Sequence, residues 1–222
     1  MRVGAGIVAL LTLAGGALAN RIAGRIVILE KDNKPTPDLG DAVVYLEGVA
    51  TPATAADPVT VEIAITDKVY APHVVVVPIG STVRFPNHDP FNHNVFSLSE
   101  PNTFDLGLYG RGEVKSQTFT HPGLVRVYCN VHPRMVAYVL VMANRLYAQP
   151  GQDGSFLLEN VPPGRYRLHV WHERIPTEVI KEVTAGGDGD LQIALNARGY
   201  KWEPHRNKFG RNYPTNAGRE RY

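Results

Sequence analysis

Short apolar runs, interrupted every few residues by proline, glycine, asparagine or aspartate, limit this chain more than any other feature. RIVILE, AVVYLE, TVEIAIT, HVVVVP, STVRFPN, SQTFT, LVRVYC, VAYVLVM, GSFLLE, RYRLHVW, EVIKEV and LQIAL are rich in β-branched and aromatic residues. Almost nowhere do apolar residues recur with the helical period of 3.6. Many short strands at close spacing predict an all-β sandwich or barrel. Several runs are continuously apolar, as expected of strands with both faces buried or with one face against a second domain.

Residues 1–19, MRVGAGIVALLTLAGGALA, read as a secretory signal. Arg2 supplies the positive start, an apolar stretch follows, and Ala17-Leu18-Ala19 offers small residues for cleavage before Asn20. The stretch is short and Gly/Ala-rich for a membrane span, and no later run is apolar for long enough to cross a bilayer. The expectation is a soluble chain, periplasmic or secreted, of 222 − 19 = 203 residues. A formal net charge of +2 gives no reason to expect a nucleic-acid partner. The charge is uneven, however. Residues 198–222 hold seven Lys or Arg against Glu203 and Glu220. That tail suits an acidic partner, a glycan or an anionic surface. The plainer expectation is a partly ordered tail wrapped on its own domain, with Trp202, Phe209 and Tyr213 packing.

An exported chain meets an oxidising compartment, where cysteines usually pair. This one has a single cysteine, in CNVHPRM at residues 129–135. It must pair between chains, stay oxidisable, or bind something. Cys129, His132 and Met135 fall between the strands LVRVY and VAYVLVM, in a loop too short to close a metal cage by itself. The best further ligand is His93, in VRFPNHDPFNHNVFS. His88, five residues earlier, is its rival. Thiolate, two imidazoles and a thioether form a soft set unsuited to magnesium or calcium. The set suits copper, and two His, one Cys and a weak axial Met describe a blue-copper site. Zinc is a poorer fit because thioether ligation suits it badly. Met135 also reads as core filling at the head of a strand.

VRFPNHDPFNHNV and TFTHPGLVRVYCNVHPRMVAYVLV resemble the two signature blocks of the cupredoxins, the plastocyanin and amicyanin group, over residues 59–143. The resemblance implies one type 1 copper ion held by His93, Cys129, His132 and Met135, favours His93 over His88, and implies that Asn94 braces the segment after Cys129. A second resemblance joins GRIVILEKDNKPTPDLGDAVVYLEG to QDGSFLLENVPPGRYRLHVW and is similar to a carboxypeptidase regulatory-like domain, a small transthyretin-like sandwich. Together they imply a cupredoxin Greek-key β-sandwich inserted in, or packed beside, that second sandwich. The expected organisation is signal 1–19, first part of the regulatory-like sandwich 20–58, cupredoxin domain 59–143, second part 144–197, and basic aromatic tail 198–222.

The implied function is a periplasmic electron carrier cycling between Cu(II) and Cu(I). It would meet redox partners, such as a cytochrome or a dehydrogenase, through the loop of His132 and Arg134, with His132 partly exposed in an apolar rim. Copper delivery by the same ligands, and a non-redox interaction module with a structural metal, are the alternatives. No nucleophile elbow, phosphate loop or paired carboxylates suggest an enzyme. Eight histidines in total, mostly scattered, are too few for a multicopper oxidase. His73 and His121 read as exposed, and His169 and His172 as pointing to opposite strand faces.

Overall fold

In the computed structural model, residues 20–31, 36–49, 56–187 and 189–213 are described. The signal segment and the end of the basic tail lie outside them. The described chain is all-β: seventeen strands and one 3₁₀ turn at Leu39–Asp41. None of its helices is long and apolar enough to cross a membrane.

Two pairs of sheets account for most strands. In the first pair, β14 (Ser155–Leu158), β1 (Ile22–Leu29) and β17 (Asp190–Asn196) form one layer. The other layer is β13 (Tyr147–Ala148), β2 (Val43–Glu47), β15 (Arg165–Trp171) and β16 (Val179–Thr184). Side chains alternate along these strands because successive Cβ atoms point to opposite faces. In β17, Leu191, Ile193 and Leu195 face inward while Gln192 and Ala194 face out. They meet Ile26, Leu46, Phe156, Leu168 and Val170 in one core.

In the second pair, β10 (Val114–Thr118), β7 (Thr82–Pro86) and β3 (Thr60–Glu62) form one layer. It faces a five-stranded layer of β6 (Val74–Pro78), β12 (Val136–Met142), β11 (Gly123–Tyr128), β8 (His93–Ser97) and β9 (Phe104–Tyr109). A small hairpin, β4 (Ala64–Thr66) with β5 (Val69–Ala71), closes one end. Its turn residues Asp67 and Lys68 have φ of 54° and 60°, as a type I′ hairpin turn requires. Phe85, Phe119, Val125, Val127 and Val139 fill this core, and Cys129 and Met135 belong to it. The metal-type residues therefore stand on packed apolar ground.

A third, smaller cluster of Val43, Val74, Leu140 and Trp171, flanked by Tyr45, Tyr138 and Met142, joins the two sheet pairs. The rings of Tyr138 and Trp171 lie 5.2 Å apart. Here the continuous apolar character of HVVVVP and VAYVLVM finds its reason: each strand packs on its own core and on the neighbouring sandwich.

The same contact corrects the expectation for His73. Its Nε2 lies 2.9 Å from Oε1 of Glu173, across the two sandwiches. Burial pushes the His73 pKa down, but Glu173 outweighs it and the net shift is upward from 6.5. A raised histidine stabilises the contact fully below 6.5 and loses that contribution as pH climbs through the folded pKa. Thermal stability is therefore expected to fall as pH rises through that value, and His73→Gln to flatten that fall, as read by melting curves across pH. An equal pH slope in the variant would remove His73 from the account.

Candidate metal centre

The Cys129–Met135 loop is pinned to itself before it meets anything else. The Cys129 N–H donates to the Met135 carbonyl (3.4 Å), and the Met135 N–H to the His132 carbonyl (3.1 Å). This narrow turn follows directly from pairing of β11 with β12, in which Tyr128 faces Val136. It brings the Cys129 thiol and the His132 ring to one point. His93 arrives from the first position of β8, a strand that is not among the apolar runs marked in the sequence. β8 is held between β11 and β9, with Phe96 opposite Tyr128 and His93 opposite Tyr109. The Tyr70 hydroxyl donates to the Asn94 carbonyl (3.0 Å) and secures the strand just past His93.

Three donors converge. His93 Nδ1 lies 3.8 Å from Cys129 Sγ, His132 Nδ1 lies 3.7 Å from the same sulfur, and the two nitrogens stand 3.1 Å apart. Donors sharing one ion, with nitrogen at about 2.0 Å and sulfur at about 2.3 Å, stand about 3.2–3.8 Å from one another. The two sulfur–nitrogen spacings fall in that range, and the nitrogen–nitrogen spacing lies about 0.1 Å below it. His93, Cys129 and His132 are all buried and form a group able to hold a metal ion. Met135, 1% exposed, ends the same loop within the apolar core. His88 is exposed and outside the group.

What orients His93 is Asp89, which sequence reasoning missed. Its carboxylate lies 2.8 Å from His93 Nε2 and accepts the backbone N–H groups of Asp67 (2.7 Å) and Lys68 (2.9 Å). Donating Nε2–H to the carboxylate leaves the Nδ1 lone pair aimed at the cluster, the tautomer a ligand needs. Burial pushes the Asp89 carboxyl up, but the N–H groups of Lys68 and Asp67 and the His93 ring outweigh it, and its pKa lies below the usual carboxylate value. The available signal was an acid four residues before the histidine in NHDPFNHN. Phe91 covers the cluster, its ring centroid 5.2 Å from that of His93 and 5.8 Å from that of His132.

Burial also raises the Cys129 thiol pKa, against the backbone N–H groups of Asn94, Val131 and His132 directed at it. Burial lowers that of His93, against Asp89. Without a cation the cluster thus favours neutral imidazole and protonated thiol, and cation binding is coupled to loss of the thiol proton. Asn94 acts through its backbone N–H rather than as expected. Its side-chain amide donates to Asp105 (2.7 Å) instead of bracing the segment after Cys129.

The largest departure concerns the outer face. His132 is only 8% exposed, so the expected open histidine edge is absent. The segment from Tyr200 to Tyr213 lies across the loop. The Tyr213 hydroxyl donates to the Cys129 carbonyl (2.7 Å), and the Lys208 N–H to Oδ1 of Asn130 (3.0 Å). Lys208 Nζ pairs with Asp105 at 2.6 Å. The His205 ring stacks on Tyr128 at 4.2 Å, and the Arg134 guanidinium lies 5.1 Å from the Trp202 ring centroid. Tyr213 packs as the sequence suggested, whereas Trp202 stays 43% exposed beside Arg134 and Phe209 is 70% exposed. His169 and His172 are buried in separate networks, with Glu47 and Glu178 around the first and Asp38 beside the second.

No family model matches this sequence, and no curated protein does. Among solved structures, the chain is similar to a purple cupredoxin from Nitrosopumilus maritimus, with 26% identity and a TM-score of 0.33, covering 36% of this chain and 98% of that one. It is similar to a copper-containing nitrite reductase from Thermus scotoductus SA-01, with 26% identity and a TM-score of 0.36, covering 53% of this chain and 28% of that one. It is also similar to a point mutant of amicyanin in the reduced Cu(I) form, with 27% identity and a TM-score of 0.36, covering 40% of this chain and 88% of that one.

Proposed function

We propose that this chain is an exported type 1 copper protein that carries single electrons, with His93, Cys129, His132 and Met135 as ligands. The observation that carries the reading is the convergence of one thiol and two imidazole Nδ1 atoms within 3.8 Å of one another, on a rigid core. Bound copper would supply a one-electron couple between Cu(II) and Cu(I). The protein's part is to hold the donors still. The carboxylate of Asp89 fixes the His93 ring, three backbone N–H groups face the sulfur, and Phe91 keeps water from the imidazoles. Donors fixed this way change little between oxidation states, and exchange is then fast because little has to move. The periplasm is the proposed compartment, in keeping with the signal-like first 19 residues.

We take residues 59–143 as a cupredoxin domain inserted in a carboxypeptidase regulatory-like sandwich of residues 20–58 and 144–197. The strand order supports this: β1 and β2 share sheets only with β13 to β17. Insertion is tolerated where both ends leave one surface together.

Cu(II) added to the purified protein is expected to produce an intense visible charge-transfer band. Cys129→Ser is expected to abolish it while leaving the far-ultraviolet β signature intact. A colourless wild-type complex, or a band surviving in Cys129→Ser, would refute the assignment. Copper delivery predicts ready loss of the ion to a chelator of moderate strength. The buried donor set favours retention through many redox cycles instead.

A further inference from the structure

The segment from Tyr200 to Tyr213, a strap across the metal loop, gives that loop an outer surface that its own residues would not present. Beside the loop that carries the buried His132, solvent meets Trp202, 43% exposed and engaged by Arg134. Arg134, Lys201, Arg206 and Arg211 are all exposed, and the described part of the strap answers them with one acid, Glu203. Lys208 is already committed to Asp105. The outward face is therefore cationic.

This segment is built onto the loop rather than trailing past it. Its contacts fall on the Cys129 carbonyl, the Asn130 amide, Arg134 and Tyr128, the loop and the strand end that carry the sulfur ligand. Its own turn is closed by bonds from the Asn207 N–H to the Arg211 carbonyl (2.9 Å) and from the Gly210 N–H to the Asn207 carbonyl (2.8 Å). The contacts also make a continuous chain of bonds and rings. Tyr213 touches the peptide of the sulfur ligand, and its ring meets His205 edge-on at 5.3 Å. His205 in turn stacks on Tyr128.

Resting on the copper reading above, we infer that the strap is a permanent docking face that replaces the bare histidine edge and receives an acidic patch of a one-electron partner protein. One electron passes between the partner's redox centre and the copper couple; no proton or group moves with it. Fixed positive charge steers a negatively charged partner and sets its orientation more than its affinity. A protein rather than a lipid surface is favoured by position. Arg134 belongs to the metal loop itself and the other charges belong to the segment bonded to that loop, where a partner's redox centre gains by close approach, and Trp202 is held by Arg134 rather than free to enter a bilayer.

The test uses the full, copper-loaded chain in its reduced form, with ferricyanide as anionic oxidant and tris(phenanthroline)cobalt(III) as cationic oxidant at low ionic strength. Reversing three exposed charges together, Lys201→Glu, Arg206→Glu and Arg211→Glu, is expected to lower the ratio of anionic to cationic rates by about tenfold or more, with the visible band unchanged. In the metal-free protein the same variant is expected to lower the ratio of tryptophan fluorescence quenching by iodide to that by caesium, because Trp202 is 43% exposed and Trp171 only 7%. An unchanged oxidant ratio in a protein that does bind copper overturns the docking face alone. Failure to bind copper overturns the function and the electron partner together. Equal severalfold acceleration of both oxidants by Trp202→Ala with Tyr213→Phe would make the strap an obstructing lid instead. Co-sedimentation with phosphatidylglycerol vesicles at physiological salt, abolished by the triple reversal, would assign the face to lipid and overturn the protein partner.

Discussion

Asp89→Ala is expected to weaken metal binding by about 10–100-fold, the usual loss when the carboxylate behind a ligating histidine is removed. Asp89 is 4% exposed and serves three donors at once: the Asp67 N–H, the Lys68 N–H and the His93 ring. Alanine leaves all three facing an empty space. The His93 donor is fully buried, and such a donor without a partner costs about 1–3 kcal/mol; the two turn N–H groups are part-buried and lose less, so the metal-free fold is expected to soften modestly around the β4–β5 turn as well. Asn separates the two effects. Its oxygen, standing where Oδ2 stands, still accepts from the Lys68 N–H and His93 Nε2, but it carries no charge and its amide meets the Asp67 N–H, so its hold on the ring is weaker. Asp89→Asn should therefore lose affinity while retaining more stability than Asp89→Ala. Competition with a chromophoric chelator measures the first, and thermal unfolding of the metal-free proteins the second. Wild-type affinity in both variants would show that His93 is oriented without Asp89.

The parts of the centre that sequence revealed are those encoded by local spacing. Cys129, His132 and Met135 sit three apart in a turn between two strongly apolar strands, and a turn that tight leaves their side chains little choice of direction. His93 was picked out, but the strand that carries it was not. β8 is buried at all five positions, yet it begins with His93 and Asn94. Polar residues buried by partners distant in sequence leave no period for a reader to find. β9 was hidden for a related reason, because Asp105 and Gly107 interrupt its apolar pattern and Gly107 takes a φ of 71°. The strap has no regular structure at all. It is held by side-chain-to-backbone hydrogen bonds, such as Tyr213 to the Cys129 carbonyl 84 positions away, and composition gives no register for such bonds. For the same reason His73 read as exposed: its partner, Glu173, lies 100 positions on. The expectation of a solvent-facing His132 failed because it was read from the loop alone. The loop has the form expected of it, and a segment some 70 residues later covers it.

Gly154→Ala is expected to be among the most damaging single-methyl additions to the chain, at about 3 kcal/mol or more. Gly154 holds a φ of +79°, and a Cβ built there falls 2.1 Å from the Ile26 carbonyl oxygen. The φ alone is expensive for an L residue, roughly 1–2 kcal/mol. The clash adds to it because its partner is backbone. Ile26 is fully buried at the centre of β1, and its N–H donates to the Gly154 carbonyl at 2.8 Å. Relieving the contact means moving the turn off β1 and losing that bond, while β1 is also tied to β17 through seven paired residues. Gly112 provides the control. Its φ is also +79°, but nothing lies within 4 Å of its Cβ position, so Gly112→Ala should show the dihedral penalty without the clash. Chemical denaturation of both variants separates the two contributions; equal losses would mean that β1 yields without resistance. The core under β1 is distinct from the core under Cys129, and among the described residues the cluster of Val43, Val74, Leu140 and Trp171 lies between them. In native buffer Gly154→Ala is therefore expected to keep the copper band that Cys129→Ser loses.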